Sequence, residues 1–222
     1  MIGIAGIPGS GKTTLAQIIV KRLNNVAAQK HPSSPSPATF VPMDGFHYPR
    51  AVLSAMEDPE RAHARRGAAF TFDAPGFRDL VQALREDPNA VTTVVPDGPS
   101  RAKSVFAPSF DHAIKDPKEN DIEVLPAHRV VVLEGLYIAL DKEYWRDAAA
   151  LMDEIWFVDV DFEVARRRLG ERHVRAGIVS TLEEGDRRAM ENDLVNGEEI
   201  VANKVKIDET VYSREDGAWV HE

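Results

Sequence analysis

A strand, a glycine-rich turn and a helix fill the first thirty residues, and that order constrains the rest of the chain. Ile2-Gly3-Ile4-Ala5 reads as a short buried strand, and Thr14 to Lys30 as a helix with Leu15, Ile18, Ile19 and Leu23 along one stripe. Between them lies Gly6-Ile7-Pro8-Gly9-Ser10-Gly11-Lys12-Thr13, the pattern Gly-x4-Gly-Lys-Ser/Thr. A plain glycine-rich helix cap is the simpler reading of such a turn. Flanked by a strand and a helix, however, the pattern is that of a P-loop. Its glycines let backbone N–H groups converge on phosphate oxygens at a helix N-terminus. Gly6, Pro8, Gly9, Ser10, Gly11, Lys12, Thr13 and Thr14 are therefore the candidate nucleoside-triphosphate residues. Lys12 would reach the β- and γ-phosphates, and the Thr13 hydroxyl would sit on Mg²⁺.

Downstream, strands alternate with helices, which points to a parallel sheet covered on both faces. Thr39 to Met43, Ala90 to Val95, Arg129 to Leu133 and Glu154 to Asp159 read as further strands. Residues 50–66 read as partly helical, and Pro75-Gly76 opens a helix with Phe77, Leu80, Val81 and Leu84 in register. Residues 97–128 read as a loop with a hairpin, and Leu182 to about Val205 as one long helix. Asp161 is a suitable N-cap for the Arg-rich helix after the last strand. At 222 residues the chain suits one α/β domain over 1–222.

A net charge of −9 argues against a nucleic-acid binder, and no apolar run approaches a membrane span. There is no cysteine, which excludes disulfides and thiolate metal sites, and the seven histidines show no metal-ligand spacing. The N-terminal strand leaves no room for a signal peptide, so the expectation is a cytoplasmic protein, monomer or homodimer, without nucleic-acid or membrane partners.

Ligands of such sheets bind beyond the carboxyl ends of the strands. Asp44 lies there, in Met43-Asp44-Gly45-Phe46-His47. It can serve as a general base toward a hydroxyl, hold a Mg²⁺-bound water, or simply form a turn. Glu134 ends the Val130–Leu133 run like a Walker B acid and can coordinate Mg²⁺ through water or orient substrate. Asp159 suits a structural role. Arg166, Arg167, Arg168, Arg172 and Arg175 fall within ten residues of an acidic chain. Arg168, Arg172 and Arg175 share one helical face. Transferred phosphoryl groups need such positive charge, and a lid carrying Arg168 and Arg172 would supply it. The competing reading is a solvated face paired with Glu163 and Glu171. Arg65-Arg66-Gly67 with Asp73, and Phe110-Asp111-His112, are polar segments suited to a substrate's hydroxyls, and His47 is the one histidine near Asp44.

The order of these motifs resembles the phosphoribulokinase/uridine kinase group of P-loop kinases, which includes bacterial-type pantothenate kinase. The resemblance covers about residues 1–205 and rests on GIPGSGKT, MDGFH, RRGAAFTFDAPGF, PSFDHAIKD, VVVLEGLY and DVDFEVARRRLGERH. The RRG…TFD…GF segment and Glu191-Asn192-Asp193-Leu194-Val195-Asn196 are similar to a uridine-kinase-like branch of nucleoside, sugar or fructose-transport-associated kinases. The resemblance implies a three-layer α/β/α fold with a five-stranded parallel sheet and an Arg-bearing lid, with lid and substrate loops at about 46–75, 97–128 and 166–180. It also implies ATP- and Mg²⁺-dependent phosphorylation of a hydroxyl on a small metabolite. Asp44 takes the catalytic Asp position, Asp73 and Asp111 fall where sugar or polyol hydroxyls are held, Glu134 falls on the Walker B acid, and Arg168 and Arg172 fall on lid arginines. His47 and Arg66 are carried with the acceptor loops. Uridine kinases follow a Tyr-Asp pair with a pyrimidine-reading His; this chain has Phe110-Asp111 and then Lys115, which suits a more polar or anionic acceptor unless it is only a solvated lysine. A nucleotide-driven ATPase or switch is the rival class, although such a protein has no use for Asp44 or the acceptor loops.

Overall fold

The computed structural model describes residues 1–86 and 103–214. The strand expected at Ala90 to Val95 lies outside the described residues, as does the start of the 97–128 segment.

Five strands form one sheet in the order β2-β5-β1-β6-β7, and every pairing is parallel. They are β1 (Ile2–Gly6), β2 (Ala38–Pro42), β5 (Val130–Glu134), β6 (Glu154–Asp159) and β7 (Glu209–Tyr212). An antiparallel hairpin, β3 (Val105–Asp111) with β4 (Asp116–Val124), stands apart from the sheet. The hairpin expected in the polar segment is therefore present, and it is longer than a turn.

Alternation along the strands splits the core in two, because successive side chains leave a strand on opposite faces. Ile4, Val132 and Val158 face α1 (Lys12–Lys30), where they meet Ala16, Leu15 and Ile19. Ala5, Val131, Leu133 and Phe157 face the larger cluster. That cluster takes Phe77 and Val81 from α4 (Ala74–Arg85), Trp145 from α5 (Trp145–Ala149), Leu169 from α6 (Phe162–Arg175) and Ile200 from α8 (Leu194–Ala202). The sheet is thus sandwiched as expected. The α1 stripe is less buried than its spacing suggests, with Leu23 39% exposed.

Local chemistry sets the helix ends. Asp161 caps α6, accepting from the N–H groups of Glu163 and Val164 at 2.8 and 3.3 Å. Asp73 caps α4, accepting from Gly76 N–H at 3.0 Å. Residues 50–66 resolve into two short helices, α2 (Arg50–Ser54) and α3 (Pro59–Ala64), the second capped by Asp58. The long helix expected from Leu182 runs without interruption to Ala202, as α7 (Leu182–Arg188), a π-helical turn at Ala189–Asp193, and α8. π-turns widen a helix by one residue and re-aim its side chains. Here the turn carries Asn192 and Asp193.

Candidate active site

Parallel register brings the carboxyl ends of three strands to one rim. Ile4 of β1 pairs with Glu134 of β5, and Glu134 pairs in turn with Pro42 of β2. The P-loop leaves β1 at that rim, and Asp44 follows β2 by two residues. Four of the expected groups, Lys12, Thr13, Asp44 and Glu134, are neighbours for this reason alone.

The P-loop is built for an anion. Gly11, the N-cap of α1, sits in the left-handed region at φ 90°, and no side chain caps the helix. An L side chain there would be strained, and the uncapped first-turn N–H groups are left for a ligand. Ser10 is buried, and its hydroxyl has no partner among the described residues. Lys12 Nζ lies 3.9 Å from Glu134 Oε1, with both side chains largely buried. Burial lowers the Lys12 pKa, against the opposing pull of Glu134 and Asp44. Burial pushes the Glu134 carboxyl up to about 7, against the attraction of Lys12 and a hydrogen bond from Thr13. A buried pair of this kind is costly to desolvate and is satisfied best when further charge arrives. Mg²⁺ keeps several waters and uses one or two carboxylates plus substrate phosphates. A Thr13 hydroxyl beside Glu134 fits that demand, and Lys12 fits the phosphates. Among the described residues no three or more His, Cys, Asp or Glu side chains gather into a metal cage.

Asp44 sits in a single 3-10 turn, Met43–Phe46, and is exposed while Met43, Gly45 and Phe46 are buried. The turn is wedged against the hairpin: a Cβ on Gly45 would lie 2.1 Å from the Pro108 carbonyl oxygen. Asp44 is thereby presented to solvent from a rigid base, close enough to act electrostatically on both Lys12 and Glu134. His47 follows, its Nδ1 2.8 Å from the Asp44 carbonyl oxygen and its ring against Phe72 and Phe110, at 4.0 and 4.9 Å between centroids. Burial lowers its pKa, and Asp44 opposes that shift.

The arginines of α6 divide their work. Arg166 makes a two-pronged pair with Asp186 at 2.6 and 2.7 Å, fastening α6 to α7. Arg168 donates to the Gly9 carbonyl at 3.1 Å and to Ser213 Oγ at 2.9 Å, bracing the P-loop against the segment after β7. Arg172 acts on Lys12 and Glu134 and lies 4.0 Å from Asp193 Oδ1, with its side chain 57% exposed. The other Asp193 oxygen lies 2.9 Å from Nε2 of buried His173. Asp193 also acts on Lys12. Sequence reasoning did not single out Asp193 as a site residue, because its approach to His173, twenty positions earlier, depends on the π-turn and on the packing of α6 against the helices that follow.

The expected acceptor residues have local partners. Arg66 bonds the Asp116 carboxylate at 2.8 Å, the Lys115 carbonyl at 2.5 Å and the Tyr48 carbonyl at 3.0 Å, and lies over the Phe110 ring. It ties the hairpin to the segment after Asp44. Asp111 closes the hairpin turn by accepting from Ala113 and Ile114 N–H, and Lys115 takes a left-handed conformation there at φ 58°. Asp73 serves the α4 cap. Arg66, Asp111 and Lys115 thus sit together on the hairpin side of the site.

A family model described as the phosphoribulokinase/uridine kinase family matches residues 1–175. The chain belongs to this family. The ATP-dependent kinase-like protein notR' of Aspergillus versicolor is 52% identical over 169 residues, 76% of this chain and 92% of that protein. A solved structure titled as a candidate fructose transport system kinase from Silicibacter sp. TM1040 shares 32% identity and a TM-score of 0.73, covering 94% of this chain and 87% of that one. YFH7 from Saccharomyces cerevisiae, titled as a candidate P-loop kinase with a circular permutation, superposes with a TM-score of 0.78 at 25% identity, covering 97% and 92%. The resemblance read from the motifs and the parallel-sheet fold it implied are both borne out, and the class is that of P-loop kinases acting on small metabolites. No helix among the described residues is long and apolar enough to cross a membrane.

Proposed function

We propose that this chain is an ATP-dependent kinase that transfers the γ-phosphoryl group to a hydroxyl of a small metabolite. The observation that carries this reading is the exposed Asp44 held on a rigid turn beside Lys12 and Glu134. A nucleotide switch has no need of an exposed carboxylate fixed there.

Bound Mg²⁺ would neutralise phosphate charge from the Thr13 and Glu134 side of the site. Lys12 and the P-loop N–H groups hold the β- and γ-phosphates in place. Asp44 takes the proton of the acceptor hydroxyl at its carboxylate as the hydroxyl oxygen bonds to the γ-phosphorus and the bond to the ADP oxygen breaks. Arg172, released from Asp193, supplies positive charge to the transferred group. Arg168 holds the P-loop from behind. The acceptor enters along the face formed by His47, Arg66 and the hairpin carrying Asp111 and Lys115, with Asp73 at its edge. The protein acts in the cytoplasm as a monomer or homodimer.

The test is ADP release from ATP with and without pooled small hydroxylated metabolites. Release should depend on the pool. Asp44→Asn should lower it by about 10²- to 10⁴-fold while Mg²⁺-ATP still binds. An equal rate without metabolites would instead favour the ATPase reading.

A further inference from the structure

The π-turn and the first turn of α8 carry side chains that reach both halves of the candidate site. Asp193 serves the nucleotide side, where it meets buried His173 at 2.9 Å and lies 4.0 Å from Arg172. Asn192 precedes it in the chain, and adjacent residues of a helix do not share a face. Asn192 serves the other side: its Nδ2 donates to the Arg66 carbonyl at 3.4 Å. Asn196, one turn on, accepts from Arg65 at 2.7 Å through its Oδ1, and the same guanidinium donates to the Glu191 carbonyl at 3.0 Å.

These bonds place the start of the acceptor loop. Gly67 follows in the left-handed region at φ 107°, and its carbonyl accepts from the Tyr137 hydroxyl at 3.1 Å. With its backbone fixed from two sides, Arg66 extends its guanidinium to the Tyr48 carbonyl and to Lys115 and Asp116 of the hairpin. A continuous set of contacts therefore runs from Arg172 through Asp193 and Asn192 to Arg66 and the hairpin.

The turn in the middle of that set is held at a cost. Asn192 and His173 are both buried, and neither Asn192 Oδ1 nor His173 Nδ1 has a partner among the described residues. Unpaired buried polar atoms are unfavourable, and π-turns are an uncommon helix geometry found frequently at functional sites. Packed elements of this kind change between discrete arrangements when one contact is lost.

We propose that the π-turn carries the state of the nucleotide site to the acceptor loop, with Asn192, Asn196 and Arg65 as positioning residues for Arg66. The inference rests on the kinase reading, in which the γ-phosphate draws Arg172 off Asp193. Arg172 then makes different contacts in two states, which is what a ligand-driven shift requires. Asp193 loses one of its two partners and moves against His173. Asn192 moves with it, and Arg66 and the hairpin follow. A diphosphate offers no γ-phosphate and leaves Arg172 on Asp193.

Hydrogen exchange on the full chain reads this coupling without an acceptor. Exchange follows local stability, and one hydrogen bond changes it about two- to tenfold. Titration calorimetry first establishes that Mg²⁺-ADP and Mg²⁺ with a non-hydrolysable ATP analogue bind. In wild-type protein the analogue, compared with ADP, should change exchange across residues 65–71 and 109–118 by about threefold or more. Asn192→Ala and Arg65→Lys should bind the analogue as wild type does and keep its effect on residues 6–20, yet lose its effect on the two acceptor segments. Arg65→Lys keeps the charge but cannot span Glu191 and Asn196, and it keeps the test decisive should the buried alanine variant fail to fold. Asp193→Asn retains a bond to His173 without the charge that holds Arg172. Free of nucleotide, it should show at 65–71 the exchange that wild type shows only with the analogue. A purely structural turn predicts equal exchange with ADP and analogue in wild type, and that result overturns the proposal, as does a full wild-type response in both Asn192→Ala and Arg65→Lys. An analogue that binds without the change overturns this inference alone; one that does not bind overturns the kinase reading with it.

Discussion

Replacing Gly45 by alanine tests whether the rigid turn under Asp44 matters. The added Cβ would meet the Pro108 carbonyl oxygen at 2.1 Å and its carbon at 2.5 Å. Both are backbone atoms, so no rotamer relieves the contact. Comfortable separation is about 3.5 Å, so the 3-10 turn and β3 must part by roughly 1 Å. Overpacking of this kind costs about 1–3 kcal/mol. For a chain of this length each kcal/mol lowers Tm by about 2–4 °C. The same displacement moves Asp44, and a 1 Å error in a reacting group can cost about 10²-fold in rate. Thermal melts, Mg²⁺-ATP titration and acceptor-dependent ADP release measure the three effects separately. The expected pattern is a lower Tm and a sharply lower kcat with nucleotide affinity unchanged, because the atoms an added Cβ meets first belong to Pro108 and Ser109 of β3 and not to the P-loop. A variant with wild-type Tm and kcat would refute the claim that the hairpin fixes Asp44.

Three further outcomes follow from the same geometry. Glu134 is pushed up to about 7 by burial, so the folded, nucleotide-free protein holds a proton that the unfolded chain has already lost. Its contribution to stability is complete below about 4.5 and is lost as pH rises through about 7, amounting to up to about 3 kcal/mol. Melts at pH 5 and pH 8 should show Glu134→Gln losing less stability than wild type over that interval; equal losses would contradict the buried, proton-holding carboxyl. Arg172→Ala should lower kcat by about 10²-fold or more with little change in Tm, whereas Arg168→Ala should weaken nucleotide binding and cost about 1.5–3 kcal/mol of stability through its bonds to Gly9 and Ser213; the reverse pattern would show that the two roles are misassigned. Arg66→Ala should free the hairpin from Tyr48 and Asp116, costing about 2–3 kcal/mol and raising KM for the acceptor more than for ATP, which paired saturation curves would read out.

Much of the architecture was legible because it rests on local rules. The P-loop, the Asp161 cap and the Glu154–Asp159 strand are each written in a few adjacent residues, and each stands where the pattern places it. β7 was not legible. It is a four-residue edge strand, Glu-Thr-Val-Tyr, mostly exposed, with no apolar run to announce it, and only pairing with β6 makes it a strand. The π-turn was hidden for a similar reason: helical periodicity across residues 182–205 does not reveal one extra residue in a turn. The roles of Arg166, Arg168 and Arg172 were inseparable in the sequence, since adjacent arginines on a helix differ only in what packs against them.

The sequence by itself determined that a triphosphate cradle follows the first strand, and it supplied the acids and cations that phosphoryl transfer needs in an order shared with a family. Those features follow from short-range chemistry: glycine conformations, helix termini and strand ends. Tertiary structure decided which of them meet. The register of β1, β2 and β5 gathered Lys12, Glu134 and Asp44 at one rim, the hairpin's approach to Gly45 fixed Asp44, and the π-turn delivered Asp193 to Arg172 and His173. Burial then set the charges, drawing Lys12 and Glu134 away from their ordinary pKa values, because desolvation depends on every element packed around a group and not on its neighbours in the chain.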